Sequence, residues 1–312
     1  MNRRFDKKRK KNWPEKAAVL TGPGLMMLVL EMWRELHGFT VRRCRIKLPC
    51  ETIGGEAVKI AFLSDLHGKC YGKCNGELLE AIKSEQPDYI LVGGDMLTRN
   101  REATDKIAVM LLGELVKLCP VYLANGNHEQ KMRLKPEEYE GRYEAYMKKV
   151  RKLGIHVLVN ESRDCEMKGM PVTISGLELP LGCYAHFHTR KLKISDIEER
   201  IGKAGGKNYQ IILAHSPVYF ETYAKWGADL ILSGHLHGGV IGVPGFGGLI
   251  TPQARLFPRY SGGTYRKGRK VSIVSRGLGT HTVNVRLFNP AEVLMITLQP
   301  KNFSCTGSQN QV

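Results

Sequence analysis

Five short apolar runs in this 312-residue chain each stop at a small or polar motif. VKIAFL runs into Ser64-Asp65-Leu66-His67, YILV into Gly93-Gly94-Asp95, and VYLA into Asn125-Gly126-Asn127-His128-Glu129. IILA runs into His215-Ser216-Pro217, and LILS into Gly234-His235-Leu236-His237. An apolar run of this length, bounded by turn-forming residues, reads as a strand buried on both faces of a parallel sheet. In open α/β sheets ligands bind beyond the carboxyl ends of such strands. The pattern therefore predicts five strands that deliver Asp, Asn and His side chains to one edge of a sheet. A metal site is assembled in that way.

Strand-like and helix-like segments alternate from about residue 57. VKIAFL is followed by the helix candidate GELLEAIKSE, then by YILV, the amphipathic IAVMLLGELVKL, VYLA and a charged helix near residues 136–153. Ser195-Asp196-Ile197-Glu198 has the Ser-x-x-Glu pattern of a capping box and predicts a helix start. IILA, a helix near residues 218–226 and LILS follow, and the alternation argues for a layered α/β domain. The part beyond residue 237 is rich in Gly and Pro and then offers VSIVS and VLMITL without intervening helices. Those two runs predict a second sheet packed on the first. The expected division is a basic segment with a short apolar anchor over 1–38, one catalytic domain over 39–300 and a polar tail over 301–312.

A formal net charge of +17 sets this chain apart from an average globular protein. Arg3, Arg4, Lys7, Lys8, Arg9, Lys10, Lys11 and Lys16 precede residue 17, against only Asp6 and Glu15. Such a surface favours anionic partners: nucleic acid, acidic headgroups or phosphorylated substrates. Behind the cluster comes AAVLTGPGLMMLVL, shorter than the ~20 residues that span a bilayer. Gly22-Pro23-Gly24 is expected to break a helix there. The segment reads as an anchor that lies in or dips into an anionic membrane, with a helix packed on the domain as the alternative. Eight cysteines without paired Cys-x-x-Cys spacing read as free thiols. That favours the cytoplasm, whereas a signal-anchor orientation with basic residues inside puts the domain outside; the face of the membrane stays open. No basic strip is interleaved with aromatics, so no specific nucleic-acid partner is expected. A monomer is expected.

A carboxylate between two divalent cations offsets their repulsion, and two metals about 3.5–4 Å apart can clamp an in-line phosphoryl displacement. Asp95, alone after two glycines, is the candidate bridge. Asp65 and His67 alternate along what reads as an extended segment, so both face one side, and His235 and His237 repeat the spacing. Asn127 offers a neutral oxygen and His215 a further nitrogen. A mixed oxygen and nitrogen set without thiolate suits Mn²⁺, Fe or Zn²⁺ better than Mg²⁺. His128 is then available to protonate a leaving oxygen, with Glu129 orienting its imidazole. A lone Asp-x-His is ordinarily a surface turn, and Gly-Asp is common. The weight lies in the joint occurrence, each motif at the end of an apolar run.

The ordered set SDLH, GGD, GNHE, AHSP and SGHLHGG resembles the calcineurin-like metallophosphoesterases, with likeness over about residues 39–298. GKCNGELLEAI, VPGFGGLITP, FPRYSGGTYRKG, SRGLGT and RLFNPAEV resemble a bacterial, single-domain, membrane-associated branch related to UDP-diacylglucosamine hydrolase-like phosphodiesterases. The resemblance implies an α/β fold built as a four-layer α/β/β/α sandwich of two packed mixed sheets, with two divalent metal ions. One metal falls to Asp65, His67, Asp95 and His237, the other to Asp95, Asn127, His215 and His235. His128 matches the leaving-group histidine. Glu129 stands where Asp is commoner, and Val240 where members often carry Gln. The implied activity is cleavage of a phosphodiester or pyrophosphate bond in a phosphorylated small molecule or lipid headgroup, a lipid-linked substrate leading. A nuclease, a cyclic-nucleotide phosphodiesterase and a metal-free scaffold of the same fold are the alternatives.

Overall fold

The structure, a computed structural model, describes residues 13–49, 56–185, 190–239, 241–243, 247–250, 256–280 and 283–300. Its strands are β1 (Phe39–Lys47), β2 (Val58–Leu63), β3 (Tyr89–Val92), β4 (Val121–Ala124), β5 (His156–Leu158), β6 (Glu161–Met167) and β7 (Met170–Leu177). Further along come β8 (Tyr209–Ala214), β9 (Leu230–Ser233), β10 (Ile241–Val243), β11 (Gly247–Ile250), β12 (Gly263–Lys267), β13 (Lys270–Val274) and β14 (Ala291–Gln299). The helices are α1 (Trp13–His37), α2 (Gly76–Ser84), α3 (Ala103–Leu115), α4 (Asn127–Leu134), α5 (Arg142–Lys152), α6 (Ile194–Ile201) and α7 (Phe220–Trp226). Two six-stranded mixed sheets run β1-β14-β2-β3-β4-β5 and β12-β13-β9-β8-β7-β6, and β10 pairs with β11 as a small hairpin.

Side chains alternate along a strand, so a run apolar at every position must be covered on both faces. The strands obey this. Ile60 and Phe62 of β2 and Leu91 of β3 point between the sheets, where they meet Ile174, Ile211, Leu213 and Leu232 from the second sheet. Ala61, Leu63, Ile90 and Val92 point the other way, onto α2, α3 and α5 through Leu78, Ile82, Leu111, Leu112 and Val150. On the far side Ile212, Ala214 and Ile231 pack against Ile197, Phe220 and Tyr223 of α6 and α7. Helix, sheet, sheet, helix is the result, the four-layer sandwich that the motif resemblance implies.

Several local expectations are corrected. VLMITL does not join the second sheet: β14 lies inside the first, parallel to β1 and antiparallel to β2. An apolar run carries no information about which of two buried sheets will take it. The charged helix begins at Arg142 rather than near residue 136, after turns over 136–141. Helix α6 starts one residue before Ser195; the Asp196 carboxylate accepts the Lys193 amide at 2.8 Å, so the first turn is closed by a different acid. Gly22-Pro23-Gly24 does not break α1, which is continuous with Pro23 inside it. A proline removes one intrahelical bond but leaves those of the turns on either side, weakening a helix by about 3 kcal/mol without ending it. Cys44, Cys70, Cys74, Cys119, Cys165 and Cys183 are free thiols; Cys50 and Cys305 lie outside the described residues.

Phe62 is fully buried between the sheets. Phe62→Ala is expected to cost about 3–5 kcal/mol, because neighbours in two sheets cannot collapse into the space together. Met110→Ala on exposed α3 surface is expected to change stability by less than about 0.5 kcal/mol. Urea unfolding of the two variants measures the difference.

Candidate metal centre

The five motifs gather at one place, but not along one sheet. Strands β2, β3 and β4 of the first sheet supply Asp65, His67, Asp95 and Asn127, while β8 and β9 of the second supply His215, His235 and His237. The expected single sheet edge is instead the common end of two sheets. Nor is Asp65-Leu66-His67 extended. Asp65, His67, Asp95, His235 and His237 all have left-handed backbones, with φ between 49° and 68°. Asp and His tolerate that region better than most residues, yet each such position costs on the order of 1–3 kcal/mol. Facing sides therefore arise from tight turns beyond the strands, not from strand alternation.

Two glycines permit the crowding. Gly94 has φ +88°, and a side chain on it would overlap the Gly126 amide. One on Gly234 would overlap the Asp65 carboxylate and Ser64 Oγ. The carboxylates are thereby close enough to accept backbone amides from neighbouring motifs. Asp65 accepts from His235 N at 3.1 Å and also from Ser64 Oγ, and Asp95 Oδ1 accepts from His128 N at 2.9 Å.

Asp65, His67 and His237 form one group whose ligand atoms lie within 4.8 Å of one another, and Asp95, His215 and His235 form a second. A third combination joins His67, Asp95 and His128. Asp95 Oδ2 stands 3.1 Å from His215 Nε2 and 3.8 Å from His67 Nε2, so it lies between the two groups. The donor nitrogens are selected by what the other nitrogen does. Carbonyls only accept, so His215 Nδ1 donates to Gly93 O at 2.8 Å and His237 Nδ1 donates to Gly279 O at 3.1 Å. Both rings are left with Nε2 facing the cluster as an electron-pair donor.

These residues fit divalent metal. His67 Nε2 and His237 Nε2 are 3.2 Å apart, too close for two lone pairs without a cation or a shared proton. Asn127 Oδ1 is buried with no hydrogen-bond partner among the described residues. Electrostatics agree. Burial pushes the Asp65 carboxyl up to about 6, while Asp95 is held well below the usual range because His215, His128 and His67 outweigh its burial. Burial acts to lower His215, but the Asp95 and Asp65 carboxylates hold it up at about 10. The two carboxylates thus favour positive charge at His215 Nε2, which a cation there would supply in place of a proton.

His128 and Glu129 both sit here, and Glu129 has other partners than the expected imidazole. His128 Nδ1 accepts the Arg99 amide at 3.0 Å, which places the hydrogen of the neutral ring on Nε2. Glu129 does not serve that nitrogen. Its carboxylate accepts the amides of Asp95, Met96 and Gly126 at 2.9–3.0 Å and so locks two ligand-bearing turns together. Burial and the neighbouring Asp95 push its carboxyl up to about 8.

Other residues escaped the sequence reading. Buried Asn289 donates Nδ2 to His237 O at 2.6 Å and to Gly239 O, and its own amide is accepted by the buried carboxylate of Glu35 at 2.8 Å. Arg286, also buried, ties Asn289 O to Gly277 O and Gly279 O. Arg286 and Asn289 fall within RLFNPAEV, a string whose residue types announce no chemistry. Tyr184 stands edge-on to His235, centroids 5.0 Å apart. Val240 lies outside the described residues.

With this geometry in place, comparison with known proteins identifies the family. The calcineurin-like phosphoesterase profile matches residues 58–239, more than half the chain, and spans all seven candidate ligand residues. The chain belongs to that family and is a metal-dependent hydrolase of phosphoric esters. It is 29% identical over 249 residues to an uncharacterized metallophosphoesterase of Aquifex aeolicus, covering 79% of this chain and 87% of that one. Identity to an uncharacterized metallophosphoesterase of Helicobacter pylori strain J99 is 28% over 252 residues, 79% of this chain and 61% of the longer relative. The phosphopantetheinyl hydrolase of Mycobacterium tuberculosis superposes with a TM-score of 0.47 at 14% identity, covering 82% of this chain and all of that one.

Because Asn289 holds the backbone on both sides of Gly238, Asn289→Ala is expected to loosen His237. Metal affinity should fall about 10- to 100-fold, as when other partners that orient a metal-binding histidine are removed. Titration calorimetry of the metal-free protein with Mn²⁺ measures it.

Proposed function

We propose that this chain cleaves a phosphodiester or pyrophosphate bond of a lipid-linked substrate, with two divalent cations held around Asp95. The position of Asp95 between two ligand groups carries the reading. Asp65, His67, Asp95 and His237 would hold one cation, and Asp95, Asn127, His215 and His235 the other. Mn²⁺, Fe and Zn²⁺ suit this donor set better than Mg²⁺. Bound cations supply charge against the phosphoryl oxygens and acidify a water.

The protein's own groups do the rest. Asp65 and Asp95, pinned by backbone amides, fix where the phosphoryl group can lie. Water forms the new P–O bond opposite the breaking one. His128, its Nδ1 fixed by Arg99, hydrogen-bonds the departing oxygen through Nε2–H, and the proton that the attacking water loses passes by way of solvent to that oxygen. Support for a lipid-linked substrate comes from α1, whose exposed apolar stretch lies on the element bonded through Glu35 and Asn289 to the His237 turn.

Removal of metal by chelation should abolish turnover of an aryl phosphodiester, and Mn²⁺ should restore it. His128→Ala is expected to lower kcat about 10²- to 10⁴-fold while two metal equivalents remain bound. Lipid pyrophosphates, cyclic nucleotides and nucleic acid tested side by side identify the substrate class. Turnover confined to nucleic acid would replace the lipid-linked reading, and no turnover of any of them with both metals bound would end the enzymatic one.

A further inference from the structure

Every residue from Gly22 to Leu30 is exposed, and among the described side chains of α1 the first that is partly covered is Glu31. Leu25, Met26, Met27, Leu28, Val29 and Leu30 are 42–70% exposed. Six consecutive apolar positions at ~100° per residue face every direction around a helix, so this stretch has no polar side to turn to water. An exposed patch of this kind marks an interaction surface. The body holds α1 at its other end, where Glu35 is 3% exposed and accepts the Asn289 amide.

What covers it can be argued from its symmetry and its flanks. A protein groove takes one stripe of a helix and leaves the opposite face in water. Only a medium that surrounds the helix satisfies an apolar stretch with no polar stripe. Among the described residues no helix is long and apolar enough to cross a membrane. Eight basic residues against two acidic ones precede residue 17, and each Lys or Arg near an anionic bilayer gains about 1 kcal/mol. At the other end Trp33 is 61% exposed, three residues after Leu30, and tryptophan favours the headgroup boundary.

We propose that α1 is a monotopic docking helix for an anionic lipid bilayer, with Leu25–Leu30 entering the acyl boundary and Trp33 at headgroup level. This surface goes beyond the hydrolytic reading and does not depend on it. Glu35 lies five positions after Leu30, about 7.5 Å along the helix axis. The next bonds lead through Asn289 to the His237 turn. Docking therefore holds the metal centre at a set height over the headgroups.

Full-length protein floated with phosphatidylglycerol–phosphatidylcholine vesicles, and with phosphatidylcholine alone, tests this without any need for turnover. Retention is expected on the anionic vesicles, weakening as salt rises. A Leu25→Glu/Leu28→Glu double variant should lose at least about 10-fold in retention. Its thermal transition and metal content should match the parent, since both side chains are exposed. No retention on anionic vesicles, or equal retention of the variant, overturns the proposal. So does a concentration-dependent dimer in vesicle-free solution that the variant dissolves, because a second copy would then cover the stretch.

Discussion

Asp95 is where the two sheets are joined electrostatically. One carboxylate oxygen faces His215 from the second sheet and His67 from the first, and the other accepts the His128 amide. Its position decides most of what surrounds it. Gly94 must lack a side chain, the turn must be left-handed, and Glu129 must hold the amides on either side. Two carboxylates and a group of imidazoles crowd together where water is excluded. Such an arrangement is stable only when positive charge balances it. Folding energy from the three apolar layers sustains the strained turns, and metal relieves the charge imbalance that remains.

The layers and the ligands were legible for different reasons. Apolar runs such as YILV and IILA are covered on both faces, and that requirement can be read from composition alone. The motif after each run then marks the strand end. Sheet membership was not legible: VLMITL is equally apolar toward either sheet, and only pairing with β1 and β2 decides its place. Turn geometry escaped for a related reason. Asp-x-His alternates whether extended or left-handed, and the left-handed turn carries the Asp65 carboxylate against Gly234, a glycine just beyond another strand.

Supporting residues were the least legible. Glu35 belongs to no motif in the sequence, yet it is buried against a segment 254 positions away. Arg286 and Asn289 show no periodicity because their partners are backbone carbonyls, which every residue possesses. Glu129 was assigned to the ring of its neighbour, whereas its reach and its place at the first turn of α4 suit amides better. Side chains that bond to main chain leave no pattern in sequence; only the fold reveals them.

The place of β14 also bears on how the molecule is made. It separates β1 from β2, and Thr40 Oγ1 bonds Ala291 O across 251 positions. During synthesis β1 therefore waits, unpaired, until β14 has been made and has emerged. Strands β2 to β5 of the first sheet and all of the second can form earlier, but the clamp of Glu35, Arg286 and Asn289 on the His237 turn cannot. The metal centre is thus among the last parts to reach its final shape, and a nascent chain cannot become a working hydrolase before β14 has joined β1.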